Sequence, residues 1–137
     1  MHTQSIISSH PQVRGNVNAT LIRCIEACYD CAQACTACAD ACLGEDSVKD
    51  LTQCIRLNLD CGDVCVATGA LASRRTGSDE AILKSMLDVC AQACRLCGQE
   101  CSQHASRHEH CKICADACQS CEQLCRDAMN TIGTTRQ

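Results

Sequence analysis

The feature that most constrains the fold of this chain is the spacing of its cysteines. In the stretch CIEACYDCAQACTACADAC, from Cys24 to Cys42, six cysteines follow one another at intervals of 4, 3, 4, 3 and 4 residues. Residues three and four apart lie on one face of an α-helix, whereas a strand would require a period of two. The spacing therefore predicts a long helix with a continuous stripe of thiols along one side.

The same spacing continues in three further segments that contain few helix breakers. The four predicted helical segments comprise residues 16–43, 46–74, 80–105 and 106–132, and the chain is expected to fray after residue 132. Every cysteine of the chain falls on the stripe of one of these segments. The eighteen are Cys24, Cys28, Cys31, Cys35, Cys38, Cys42, Cys54, Cys61, Cys65, Cys90, Cys94, Cys97, Cys101, Cys111, Cys114, Cys118, Cys121 and Cys125.

Residues suited to capping a helix lie at the starts of three of these segments, and the connections between the segments are short. The candidate N-caps are Asp46 or Ser47, Ser78 or Asp79, and Ser106. Short connections favour antiparallel neighbours. We therefore predict an all-α fold, in which residues 16–137 form an antiparallel up-down-up-down four-helix bundle with a Cys-lined core. Residues 1–15, which include the only proline, are predicted to form a short N-terminal arm, either loose or separately packed.

The composition supports a core that is built largely from cysteine. Eighteen of the 137 residues are cysteine, and Tyr29 is the only aromatic residue. A chain of this length can bury a substantial core without disulfides to reinforce it. Because large rings are missing, Cys, Ala, Leu, Ile and Val must fill the interior.

Charge and hydropathy exclude several classes of partner. A net charge of −4 without any basic stripe argues against nucleic acid. The longest apolar stretches fall short of the roughly 18 residues that a membrane span needs. The start, MHTQSIISSHPQVRGNVNATL, lacks the basic and apolar regions of a secretory signal, so we expect a cytoplasmic protein. In a reducing cytoplasm, cysteines serve more often as metal ligands or catalytic groups than as permanent disulfides.

Four uses of a thiol-lined core differ in their chemistry. Cysteine can simply fill space, although Ala or Val would pack as well without the hazard of oxidation. Disulfides would have to join different helices, because stripe positions on one helix are poorly placed for a bond. Iron–sulfur ligands usually lie on flexible loops. The fourth use is a soft metal held by many thiolates, as in a Cu(I) store or a zinc or cadmium thiolate buffer.

Charge favours Cu(I) among the soft metals. Zinc on four thiolates leaves a doubly negative site, and several such sites along a dry core would repel one another. No Lys or Arg lies on the stripes to neutralise them. One monovalent ion for each thiolate leaves no net charge, and Cu(I) is both monovalent and soft. The sequence thus favours storage or sequestration of multiple Cu(I) ions per chain, on the order of one per cysteine. An iron–sulfur or dithiol redox protein is the alternative.

These cysteine stripes on four helices, in a chain that starts without a signal peptide, resemble those of the bacterial cytosolic copper storage proteins. The resemblance extends over residues 16–132. It implies a four-helix bundle filled with Cu(I), assembly into homotetramers and a role in copper homeostasis. Copper ions would then be the partners of the chain, and the resemblance names no protein that donates or accepts the copper.

One end of the predicted bundle gathers further candidate ligands. In an up-down bundle, the ends of the first and third segments meet the starts of the second and fourth. Continuing the stripes at that end reaches His104, His108 and His110, whose imidazoles could bind copper and form its entrance. A solvated polar loop is the alternative. Asn58 replaces a thiol in the stripe of the second segment, where it either touches metal or fixes the helix register.

The opposite end of the predicted bundle is apolar and is expected to close it. Its residues are Val17, Leu21, Leu83, Met86, Leu87, Met129 and Ile132. The two methionines are either core filler or soft contacts for copper. The chain contains no recognisable catalytic motif, such as H-E-x-x-H or a phosphate-binding loop, so we do not expect an enzyme.

Overall fold

The computed structural model describes residues 2–133, and every regular element in that range is helical. A short helix, α1 (Thr3–Ser8), is followed by four long ones: α2 (Ala19–Leu43), α3 (Thr52–Ser73), α4 (Glu80–His104) and α5 (Glu109–Thr131). A 3₁₀ turn, Val48–Leu51, precedes α3. The fraying predicted after residue 132 mostly concerns residues 134–137, which lie outside the described residues.

The four long helices form the predicted antiparallel bundle. Helix α2 packs against α3 and α5, and α4 packs against the same two helices, so each contacts its two neighbours around a common axis. The cysteine stripes face this axis and are buried. The prediction of an all-α four-helix bundle is therefore confirmed. Within residues 2–133, every helix is too short or too polar to traverse a lipid bilayer.

Side-chain caps fix the first residues of two helices. The Asn18 side-chain oxygen accepts a hydrogen bond from the Leu21 backbone N–H at 3.1 Å. Helix α2 therefore begins at Ala19, three residues after the predicted start at residue 16. The Asp79 carboxylate accepts one from the Ile82 N–H at 3.0 Å, as expected for a predicted cap. Each bond satisfies an N–H group that has no partner within its helix.

The two other helix starts differ from the predicted ones. Helix α3 begins at Thr52, because the 3₁₀ turn takes up the preceding residues and buries Leu51 at the end of the bundle. Helix α5 begins at Glu109, so the predicted cap Ser106 lies in the turn before it. His108 occupies the N-cap position but makes no capping bond, since its imidazole contacts Glu45 instead.

The N-terminal arm packs on the end of the bundle that is remote from the three histidines. Ile7 in α1 is buried in the same hydrophobic core as the cysteines. Side chains of the arm also contact the α3–α4 connection, where the His10 ring lies 2.9 Å from the Thr76 hydroxyl and Gln12 accepts a bond from the Gly77 N–H at 3.1 Å. The sequence does not predict α1, because six residues are too few to show a helical period.

The predicted apolar closure is present in part. Leu21, Leu83, Leu87 and Ile132 are buried there. Met86 instead lines a groove on the outside of the bundle, because the stripe of α4 passes through its neighbour Leu87. This end of the Cys-lined core is therefore covered by branched aliphatic side chains.

Candidate metal centre

All eighteen thiols are buried along the axis of the bundle. Each cysteine is 0% exposed except Cys38, which is 2% exposed. This follows from the spacing, because a stripe with intervals of three and four residues stays on the inner face of each helix. We call the resulting array of sulfur atoms the sulfur column. Every cysteine in it is a free thiol.

The sulfur atoms lie at a separation that suits a shared ion. Neighbouring Sγ atoms are 3.6 Å apart between Cys54 and Cys101, 3.7 Å between Cys24 and Cys125, and 3.8 Å between Cys61 and Cys94. A disulfide needs about 2.05 Å between sulfurs. A metal–sulfur bond of about 2.3 Å places the sulfurs about 4 Å apart around one ion. The column is therefore already spaced for metal coordination without a large rearrangement.

The column contains overlapping groups of four thiols, and some thiols belong to two groups. Within each group, the four Sγ atoms all lie within 4.8 Å of one another. Five such groups are Cys28, Cys90, Cys121 and Cys125; Cys31, Cys65, Cys94 and Cys121; Cys31, Cys35, Cys61 and Cys118; Cys35, Cys97, Cys114 and Cys118; and Cys38, Cys42, Cys54 and Cys111. The first four are linked in a series by shared sulfurs. We call the fifth the mouth group, because it lies at the histidine end.

The interior holds no fixed charge that could balance ionised thiols. Among residues 2–133, the buried polar residues are Thr3, Asn58, Thr68 and His104, and no Lys, Arg, Asp or Glu is among them. Burial raises the pKa of Cys42, and it raises the pKa of Cys111 from 9.0 to about 12. These thiols are therefore neutral without metal, and an ion that replaces their protons must bring its own positive charge.

Asn58 is completely buried and lies between the mouth group and its neighbour in the column. Its side-chain oxygen accepts hydrogen bonds from Cys114 at 2.9 Å and from Cys97 at 3.1 Å, both members of the neighbouring group. Its amide donates to Cys54 of the mouth group at 3.5 Å. The residue thus ties three helices together through thiols. Its role as a metal ligand stays a prediction.

His110 joins the mouth group to a carboxylate on the surface. Its Nδ1 lies 3.4 Å from Cys38 Sγ and 3.6 Å from Cys111 Sγ, while its Nε2 lies 2.8 Å from Glu45 Oε2. The hydrogen bond from His110 lowers the pKa of the Glu45 carboxyl. A carboxylate only accepts, so Nε2 carries a proton, and in the neutral ring the Nδ1 lone pair faces the two thiols.

His108 and His104 lie at the same end in different surroundings. His108 stacks on His110 with ring centroids 5.4 Å apart, and its Nδ1 lies 3.1 Å from the same Glu45 oxygen. His104 is buried and places Nε2 2.9 Å from Glu100 Oε2. Its Nδ1 is buried and has no hydrogen-bond partner among the described residues. Of the three predicted histidine ligands, the structure brings His110 directly against the sulfur atoms.

Two residues at this end, Glu45 and Glu100, were not predicted from the sequence. Glu100 precedes His104 by four residues on a helix, a spacing that places the two side chains on one face. Glu45 gave no comparable signal, because it lies in a turn and meets its histidines only through the fold. In the structure Glu45 accepts a hydrogen bond from His110, and Glu100 accepts one from His104.

Comparison with known proteins gives three related findings. The sequence model described as Csp, copper storage protein, matches residues 17–130. The copper storage protein Ccsp from Streptomyces lividans, in a structure loaded with 10 copper equivalents, superposes with a TM-score of 0.89 at 50% identity, covering 93% of this chain and 98% of that one. The same protein is described as cytosolic in a structure with five coppers.

Two further matches involve Bacillus subtilis. The Cu(I)-bound copper storage protein BsCsp3 superposes with a TM-score of 0.68 at 40% identity, covering 77% of this chain and 93% of that one. An uncharacterised cysteine-rich protein, YhjQ of strain 168, is 43% identical over 103 residues, which are 75% of this chain and 90% of that protein.

Proposed function

The chain belongs to the copper storage protein family, and from this premise we propose that it stores copper as Cu(I) on the thiolates of its sulfur column. Membership rests on the match to residues 17–130. We propose a capacity on the order of one ion per cysteine, since Cu(I) is satisfied by two or three shared sulfurs. The observation that carries the proposal is a column of eighteen buried free thiols, with no buried Lys, Arg, Asp or Glu among residues 2–133.

Loading exchanges one proton for one copper ion at each thiol. The S–H bond breaks, the proton leaves to solvent, and Cu(I) takes its place on the sulfur, so the net charge of the core stays the same. A divalent ion on four thiolates would instead build up negative charge in a low-dielectric interior. Charge therefore supports Cu(I) over zinc or cadmium as the stored ion.

We propose that all eighteen cysteines are ligands and that the histidine end is the entrance. His110 and the mouth group would receive the first ions, because the His110 Nδ1 lone pair points at Cys38 and Cys111. His104, His108 and Asn58 are proposed as further contacts at this end. Among the described residues the opposite end is covered, since Leu21, Leu83 and Leu87 are buried across it.

The oligomeric state, the cellular location and the domain boundaries are further proposals. We propose a homotetramer, which agrees with large apolar side chains exposed on the outer faces of the bundle, such as Leu59, Val66 and Ile113. The cytoplasm is the proposed location, because the Streptomyces lividans relative is described as cytosolic. We propose that residues 16–137 form the storage domain, that residues 1–15 form its arm and that the chain sequesters metal without catalysing a reaction.

Anaerobic titration with Cu(I), followed by gel filtration and metal analysis, tests the proposal. We expect binding to continue to well above ten ions per chain, without a visible absorption band. A parallel titration with Zn(II) is the control and should saturate at far fewer ions. Saturation with one or two cuprous ions would refute storage, and a brown protein would indicate iron–sulfur clusters instead.

A further inference from the structure

We propose that Glu45 and Glu100 are positioning residues of the copper entrance, which hold the rings of His110 and His104 with an unprotonated Nδ1 inside the protein. Each carboxylate binds Nε2 of its histidine, at 2.8 Å in one case and 2.9 Å in the other. The inference rests on the proposed storage function. It assigns a role to two glutamates that lie outside the proposed set of metal ligands.

The contact between Glu45 and His110 defines which ring nitrogen can bind a metal. Because the carboxylate accepts from Nε2–H, the neutral ring keeps its lone pair on Nδ1. That atom lies 3.4 Å from Cys38 Sγ and 3.6 Å from Cys111 Sγ, so two sulfurs and one nitrogen converge on one point. Turning the ring over would move the lone pair away from the thiols.

Glu45 also contacts the neighbouring ring of His108, but through Nδ1 and not through Nε2. The same oxygen, Oε2, lies 3.1 Å from His108 Nδ1, so His108 donates from Nδ1 and, in the neutral ring, keeps its lone pair on Nε2. The two imidazoles are stacked, with ring centroids 5.4 Å apart. A single carboxylate oxygen therefore fixes the orientation of both rings at the mouth.

The pair of Glu100 and His104 repeats the arrangement within one helix. Nε2 donates to Glu100, which in the neutral ring leaves Nδ1 as the acceptor. This Nδ1 is buried and has no hydrogen-bond partner among residues 2–133. Buried polar atoms are nearly always paired, so one that stays unpaired requires an explanation. A ligand position that is filled only when copper binds provides it.

An ordinary surface ion pair does not account for this geometry. The Lys112–Asp116 pair has the same spacing of four residues, and its side chains are 63% and 62% exposed. The His104 and Glu100 side chains are only 9% and 18% exposed. In a solvent-exposed histidine–carboxylate pair, both nitrogens of the imidazole would be accessible to water. Here one nitrogen is committed to the carboxylate and the other is enclosed.

A carboxylate behind a histidine ligand has a known physical effect. It fixes the ring orientation and makes the other nitrogen a better donor to metal, and its removal typically reduces metal affinity or activity about 10–100-fold. We therefore expect Glu45 and Glu100 to govern how quickly the first ions enter. The capacity of the sulfur column should not depend on them.

Nuclear magnetic resonance of ¹⁵N-histidine-labelled, reduced, copper-free protein tests the ring assignment directly. We expect His104 and His110 each to carry the proton on Nε2 and a bare Nδ1, and His108 to show the reverse. In Glu100→Ala and Glu45→Ala, the Nε2–H signals of the facing histidines should broaden or disappear through exchange with water. A proton on Nδ1 of His104 or His110 in the wild type would overturn the proposal.

Copper transfer from the chromophoric Cu(I)–bicinchoninate complex, followed by stopped flow, tests the consequence. We expect about 10–100-fold slower transfer of the first ions in the two Ala variants, with the final copper content unchanged. Glu45→Gln and Glu100→Gln keep an accepting oxygen and should recover much of the rate. Circular dichroism establishes that each variant is folded.

Glu109→Gln is the matched control, because Glu109 is an exposed carboxylate in the first turn of α5 beside the same histidines. It should load at the wild-type rate. Equal slowing in Glu109→Gln would show that only negative charge at the mouth matters, and wild-type rates in both Ala variants would likewise refute positioning. Wild-type protein that takes up no copper would instead refute the storage function, and the ring assignment would stand or fall separately.

Discussion

Replacing Asn58 with alanine should destabilise the copper-free bundle by about 2–3 kcal/mol. The two short bonds that its oxygen accepts from Cys114 and Cys97 contribute about 0.5–1.5 kcal/mol each. The side chain is completely buried, so its removal also leaves a small cavity, at about 24 cal/mol per Å³. The thiols that lose their acceptor are weak donors, which limits the further penalty.

Anaerobic guanidinium unfolding of the reduced, copper-free protein measures this change. Asn130→Ala is the control, because Asn130 is exposed on α5 and alanine is the better helix former there. If Asn58→Ala and Asn130→Ala unfold at the same denaturant concentration, the reasoning is refuted. In the loaded protein the thiols have lost their protons, so the difference should shrink, unless Asn58 itself binds copper, in which case it persists.

Three further changes test other parts of the molecule. His110→Ala should slow the transfer of the first Cu(I) ions at least tenfold while changing the final copper content by about one ion or less, as measured by stopped flow and metal analysis. Raising the pH from 9 towards 12 should destabilise the copper-free protein, because the pKa of Cys111 rises on folding from 9.0 to about 12. Between these two pH values the unfolded chain binds fewer protons than the folded one, so the free energy of unfolding falls as the pH rises. Below pH 9 the full stability is retained, and each such thiol contributes a slope of up to about 1.4 kcal/mol per pH unit in a urea titration. Ile7→Ser should release the arm, and limited proteolysis should then cleave before residue 19 much faster than in the wild type while the bundle stays intact.

Each of these expectations has a clear contrary result. Unchanged transfer rates in His110→Ala would place the entrance elsewhere. A free energy of unfolding that is constant from pH 9 to 12 would mean that the folded thiols ionise as readily as free ones. Equal cleavage of Ile7→Ser and wild type would show that burial of Ile7 does not hold the arm.

The bundle could be predicted from the sequence because one residue type marks the inner face of every helix. The regular intervals from Cys24 to Cys42 determine both the helical period and the side that is buried. Helix starts were harder to predict, since Ser106 is a good cap by type, yet the chain continues in a turn as far as His108. His108 takes the N-cap position instead, and its imidazole contacts Glu45.

For the candidate site, the sequence identifies the types of side chain that can bind metal. Cysteine and histidine are recognised by type and Asn58 by its place within a stripe, and their roles as ligands stay predictions. Glu45 and Glu100 act through another residue, and their distances to His110 and His104 exist only in the folded chain. The orientation of an imidazole is likewise a property of its neighbours and cannot be read from its position in the sequence.

The overlap of the four-thiol groups bears on how copper travels once it is inside. Because Cys121, Cys31, Cys35 and Cys118 each belong to two groups, an ion can be passed along by exchanging one sulfur at a time, without ever returning to water. Ions in these four linked groups would then redistribute among themselves until the most favourable positions are occupied. The mouth group shares no sulfur with these four groups, so an ion that leaves must pass to it in a separate step, and the last ion to arrive need not be the first to leave.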